Sequence, residues 1–425
     1  MIDENNLDIL QPVAFDNSIE SFNFLTFKPY NNAGLGYSDE IRIPVHNRDL
    51  ITAPYASYIY IAGTVTRNST IHVHRMTYNA LMHLFTNITL EVNGTPVDKV
   101  VNAGMTTTIK SYLSKTMAES KCYESCGFHH ATNPYSTTYK LTSAGTFQVY
   151  IPARYVMGIF EDYRHPFFNC SLELILSRAA DDRNIFIYPG REPATAADDH
   201  VTAANPVITL SEVSWKLPVL KLADASRLNL LKIIKDNRSI PVAYRSWELL
   251  ENPTLQQTTI HTWNIRQSHA LIKPRYVIVA FQTNRRNVYS SDVSLFDEIN
   301  LQSFQLCLND ERHPYELPNL DRTNSQRELL YNLFSRFQPS YYRKPYTETS
   351  ISATDFFSNN SPMPMIVIDC SKQKEQETNN PGPLNVRLDF TTSSNVPANT
   401  TAYCLIIYDR LFTYSSFDGT IKQLL

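Results

Sequence analysis

The chain has 425 residues, a formal net charge of −3 and 12% aromatic side chains, with only 11 Gly. That length exceeds one ordinary domain and fits two all-β domains of about 200 to 250 residues each. The near-neutral balance, the acidic opening MIDENNLDIL and a longest basic run of only Arg285–Arg286 argue against strong direct nucleic-acid binding.

No apolar run approaches the about 18 residues of a spanning helix, and no signal peptide opens the chain. Six cysteines (122, 126, 170, 307, 370, 404) are too few and too scattered for a disulfide scaffold. The sequence therefore predicts a soluble intracellular protein with free thiols and no membrane span. The sequons at Asn68, Asn87 and Asn399 read as strand and turn residues.

Strand signals dominate. SYIYIAGTV (57–65), NITLEV (87–92), FQVYIP (147–152) and CSLELIL (170–176) fill the first half. TTTIKSYLSKTMAES predicts a helix with Ile109, Leu113 and Met117 on one face, and KCYESCGFHH (121–130) follows at its end. PGREPATAADDHVTAANP (189–206) reads as a linker. RYVIVAFQT (275–283), FQLCLN (304–309), MPMIVID (363–369), NVRLDF (385–390) and AYCLIIYD (402–409) fill the second half. There RELLYNLFSRFQ predicts a helix with Leu329, Leu330, Leu333, Phe334 and Phe337 on one face.

The order of features recurs. A Pro-led aromatic strand comes first, with Tyr58 and Tyr276 lying 218 residues apart. A strand that stops at Asn and turns toward Pro follows (LEVNGTP, LCLNDERHP), with Asn93 and Asn309 216 apart. A helix comes next. Two strands around a polar loop close each copy, with Leu174 and Leu388 214 apart. The pattern predicts an all-β protein, a double jelly roll of two tandem eight-stranded β-sandwiches with short inserted helices, divided as 1–205 and 206–425.

Candidate chemistry is sparse. Cys122, Cys126, His129 and His130 are all zinc-ligand types, but C-x₃-C-x₂-H-H matches no standard zinc module. A fraying helix end capped by Gly127 accounts for the stretch. His72 and His74 alternate as in a cupin, without the Glu that a cupin needs soon after. Asp297–Glu298 and Asp310–Glu311 read as turn residues rather than a glycosidase dyad. There is no nucleophile elbow, Walker A loop, dinucleotide fingerprint or H-E-x-x-H. No catalytic, cofactor-binding or metal residue is expected, and no cofactor.

From Val207 to the C-terminus the series SWKLPVLKL, KPRYVIVAFQTNRRN, SLFDEINLQSFQLCLNDERHPY, LLYNLFSRFQ, MIVIDCSKQKE and AYCLIIYDRLFTY resembles the double jelly-roll capsid-like proteins of invertebrate genomes. These are related to the major capsid proteins of Maverick/Polinton elements and adintoviruses, and more remotely to adenovirus hexon. The resemblance implies a non-enzymatic major capsid protein that trimerises into pseudo-hexameric capsomers and tiles an icosahedral virion shell. It implies penton and minor capsid partners and assembly inside a host cell. A carbohydrate-binding or glycan-hydrolysing double jelly roll is the alternative.

Overall fold

The computed structural model describes residues 18–30, 34–66, 75–128, 145–187, 206–266, 273–288, 291–309, 311–314, 318–320, 328–345, 347–357, 363–371 and 384–424. In the first half the main strands are β1 (Ile19–Phe27), β2 (Glu40–Val45), β3 (Tyr58–Thr66), β4 (Phe85–Val92), β5 (Thr95–Val101), β6 (Thr146–Pro152), β7 (Leu172–Arg178) and β8 (Val207–Leu222). They pair antiparallel in two sheets, β1-β8-β3-β6 and β2-β7-β4-β5.

The second half supplies β9 (Ser239–Asn252), β10 (Ile260–Ile265), β11 (Pro274–Thr283), β12 (Leu301–Leu308), β13 (Glu311–His313), β14 (Ile366–Asp369), β15 (Val386–Thr392) and β16 (Thr400–Ser415). Their sheets are β9-β16-β11-β14 and β10-β15-β12-β13. Adding eight to each first-half strand reproduces the second half. Both orders are those of an eight-stranded jelly roll. Short strands at Ile51–Thr52 and Ile421–Gln423 extend β8 and β16.

Period-two alternation builds the core. Ile41, Ile43 and Val45 of β2 and Ile88, Leu90 and Val92 of β4 are buried. Ile43, Leu174 and Leu90 form one cross-strand row, and Trp263, Leu388 and Leu306 form its second-half counterpart. Each such aliphatic side chain contributes roughly 1.5–3 kcal/mol when fully buried.

The expected division at 205/206 falls one strand early. β8 lies beyond it, yet pairs with β1 on one side and β3 on the other, both first-half strands. The linker-like composition of 189–206 marks a connection within the first roll. The chain changes rolls after Leu222, through α4 (Asp224–Lys235).

α1 (Ala103–Ser114) and α2 (Met117–Cys122) sit between β5 and β6, and α5 (Glu328–Ser335), α6 (Phe337–Tyr342) and α7 (Ala353–Phe356) sit between the equivalent β13 and β14, while α3 (Gly158–Asp162) lies between β6 and β7. The single helix expected over 106–120 is two. Thr116 accepts from Glu119 N, and the Glu119 side chain accepts from Thr116 N, a capping box that starts α2 afresh. Met117 thus leaves the apolar face and is 37% exposed. In the second half Leu330, Phe334 and Phe337 are buried as expected, and Leu329 is exposed.

Candidate functional site: the junction of the two rolls

Every residue of α1 is buried. A helix buried on all sides is usually apolar, yet AGMTTTIKSYLS carries hydroxyls and a lysine, and these need partners. Thr107 Oγ1 donates back to Ala103 O at 2.6 Å. Lys110 Nζ donates to both Glu161 oxygens at 3.0 Å, to Ser114 Oγ at 2.6 Å and to Tyr342 OH at 3.1 Å. It also lies 4.7 Å from the ring centroid of Trp247 and 4.4 Å from that of Tyr341. Burial lowers the Lys110 pKa, and the Glu161 charge opposes that fall.

Glu161 and Asp162 close α3, which the first roll lays against β9 of the second. Asp162 accepts from Arg245 Nη2 at 2.5 Å, Nε at 2.8 Å and backbone N at 2.9 Å. Arg245 donates onward to Tyr341 O at 2.9 Å and stacks 3.4 Å from the centre of its ring. Burial opposes the charged guanidinium, but the Asp162 bond and charge outweigh it and raise the Arg245 pKa. Tyr341 OH donates to Glu161 Oε2 at 2.9 Å, and Tyr342 OH also donates to Glu161.

The backbones meet as closely as the side chains. A Cβ on Gly158 would stand 1.7 Å from Arg245 O. Nearby, Asp98 of β5 accepts from Ser246 Oγ at 2.7 Å and from Ile159 N at 3.2 Å. Tyr244 OH donates to Val97 O at 2.5 Å. Burial pushes Asp98 up to about 6, against the pull of the Ser246 hydrogen bond. Removing one member of such a network strands a buried charge at a cost of about 3–5 kcal/mol. The junction therefore holds the rolls in one relative placement.

Beside it opens a groove of about 1640 Å³ lined by Arg164, Arg275, Arg336, Arg343, Asp369 and Asp409, among others. Its carboxylates are engaged. Asp409 pairs with Arg275, and Asp369 accepts from Ser340 Oγ and Ser371 N.

Of the zinc-ligand types weighed in the sequence, only Cys122 and Cys126 lie among the described residues. Cys122 is exposed at the end of α2, whereas Cys126 is buried in a 3₁₀ turn with Sγ 2.9 Å from Tyr150 O. Gly127 caps that turn at φ 91°. His129 and His130, like His72 and His74, lie outside the described residues. Among the described residues, no group of three or more His, Cys, Asp or Glu is placed to hold a metal ion, and all six cysteines are free. Asp297 is held by Arg285 at 2.5 and 2.8 Å. Asp310 is outside the described residues. The junction itself escaped sequence reading. Its one signal was Lys110, set between Ile109 and Leu113 of the predicted apolar face.

Two eight-stranded rolls of identical strand order, locked by a buried polar junction, define a double jelly-roll protein. Residues 74–412 match the double jelly roll-like domain, and the chain belongs to that family. No curated protein matches it in sequence. Among solved structures it is similar to a chain of the Sputnik virophage particle, with TM-score 0.60 and 9% identity over 100% of this chain and 92% of that one. It is similar to the mavirus major capsid protein, with TM-score 0.57 and 13% identity over 100% and 93%. The Faustovirus major capsid protein gives TM-score 0.58 and 9% identity over 96% and 92%. At these identities the likeness is one of fold. No helix among the described residues is long and apolar enough to cross a membrane.

Proposed function

We propose that the chain is a major capsid protein, a structural subunit rather than an enzyme. Its two rolls, divided at α4, would give a trimer six similar lobes that tile a near-hexagonal icosahedral shell. The shared strand order of the halves is the observation that carries this reading, and the likeness to viral major capsid proteins supports it. Self-assembly is further supported by β1. It is an edge strand with Ile19, Phe22, Phe24 and Leu25 between 42% and 49% exposed. An uncovered apolar edge is a liability for a free monomer and a ready contact for a neighbouring copy.

In this reading the protein resides in the virion, with penton and minor capsid proteins as partners and assembly inside a host cell. The sequence resemblance supports kinship with the Maverick/Polinton and adintovirus-type group. Negative-stain microscopy of purified chain tests the role. Three-fold capsomers or shells are expected, and dispersed single chains would overturn it. The groove carboxylates already bound to Arg275, Ser340 and Ser371 leave the carbohydrate-active alternative without a specific observation in its favour.

A further inference from the structure

α4 carries the chain from one roll to the other, and none of its residues is buried. Twelve helical residues span about 18 Å, so α4 runs along one end of the two-roll body. That end is defined by strand pairing. β8 finishes at Leu222 opposite Ile19, the start of β1, and β9 starts at Ser239 opposite Ser415, the finish of β16.

The helix is two-sided. Ser226, Leu230, Ile233 and Ile234 are half-buried on one face. The opposite face presents Leu228 and Leu231, 59% and 51% exposed, with Arg227, Lys232 and Lys235 around them. Among the described residues none of these three cations is paired. A second apolar group stands at the same end. Phe417 is 67% exposed in the turn after β16, and Ser415 Oγ in that turn bonds Asn237 Oδ1 just past α4 at 2.6 Å. From Lys221 to Arg238 there are five cations, of which Lys221 pairs with Glu20 and Arg238 with Asp236, leaving Arg227, Lys232 and Lys235 beside Asp224 in a chain of net charge −3.

We propose that this end of the subunit docks on an anionic lipid bilayer. α4 lies in the headgroup plane, with Leu228, Leu231 and Phe417 entering the acyl boundary. Two leucines and one phenylalanine form too small a patch for a stable protein interface, which needs roughly 1,000 Å². They suit shallow insertion by a helix whose cations meet lipid phosphates. The cations also disfavour a second copy of α4 as occupant. A duplex nucleic acid would use the cations and leave the apolar groups in water. The inference does not depend on the capsid reading, because vesicle binding is scored in whatever oligomeric state the chain takes.

The test is co-sedimentation of the full chain with vesicles of phosphatidylcholine alone, and of phosphatidylcholine mixed with phosphatidylglycerol. Binding to the mixed vesicles only is expected. Both Leu228→Asp/Leu231→Asp and Lys232→Glu/Lys235→Glu should weaken it about tenfold or more. All four side chains are exposed, so the variants keep the fold, which the circular dichroism spectrum checks. Wild-type protein that stays in the supernatant would overturn the proposal. So would leucine variants that bind as well as wild type. Retention of duplex DNA that the lysine change abolishes and the leucine change leaves intact, without vesicle binding, would assign the surface to nucleic acid instead.

Discussion

Asn93 and Asn309 hold the same position in the two rolls and make the same pair of bonds. Asn93 donates its backbone N–H to Ser171 O at 2.9 Å, and its Oδ1 accepts from Ser171 N at 2.9 Å. Asn309 donates to Asn385 O at 2.9 Å and accepts from Asn385 N at 2.8 Å. Both are left-handed, at φ 48° and 54°. Each ends a fourth strand and ties it to the start of the seventh. Asn suits the site because it tolerates positive φ and brings its own acceptor.

Alanine at either position should therefore cost about 2 kcal/mol, from left-handed strain and a lost hydrogen bond together. Asn93→Ala should cost more, because Asn93 Nδ2 also reaches Gly419 O of the second half at 3.1 Å. Urea titration of both variants checks the order.

Gly158→Ala tests the closeness of the rolls. The added methyl would meet the Arg245 carbonyl, which cannot yield without moving β9. A loss of about 3 kcal/mol or more is expected in chemical denaturation. A variant of wild-type stability would mean that the two backbones do not touch.

Lys110 and Glu161 should behave as a unit. Lys110→Met or Glu161→Gln alone should destabilise by about 3–5 kcal/mol, since each strands its partner in a dry site. The double variant should lose less than the sum of the two. A double-mutant cycle by thermal unfolding measures the coupling.

Two buried groups give opposite pH dependences. Burial lowers His83 from 6.5 to about 4, so its contribution to stability is present above 6.5 and lost as pH falls toward 4. Asp98 is raised from 3.8 to about 6, so its contribution is fullest below 3.8 and lost as pH rises through 6. Each amounts to about 3 kcal/mol, and between pH 4 and 6.5 they largely cancel. Asp98→Asn should therefore make the protein lose stability on acidification, and His83→Gln should make it gain. Melting temperatures across that range read the slopes, which stay informative if either variant starts less stable.

The sequence carried the repeat because strand ends leave a local mark. An Asn at a left-handed turn or a Pro before an aromatic run survives when side-chain identity does not. All nine strands read from alternation are present. Seven of the main strands were not read, two of them for reasons the structure makes plain. β1, exposed on both faces, has no alternation to read. β8 follows a stretch whose Pro and Ala content looked like a domain linker. The junction was illegible because its partners lie far apart in the chain, Lys110 from Glu161 and Asp162 from Arg245. Its aromatics, Tyr276, Phe337 and Tyr341 with Trp247, also account for part of the 12% aromatic content, which is therefore not all free for contact between subunits. The exposed Phe22 and Phe24 on β1 remain for that contact.

The central claim is that one chain is a third of a capsomer. Mass measurement in solution at neutral pH, carried over a wide dilution range, tests it most directly. The account predicts a mass of three chains that persists on dilution, held by an interface of more than about 2,000 Å². A well-folded single chain at micromolar concentration, with no trimer and no particle, would contradict it.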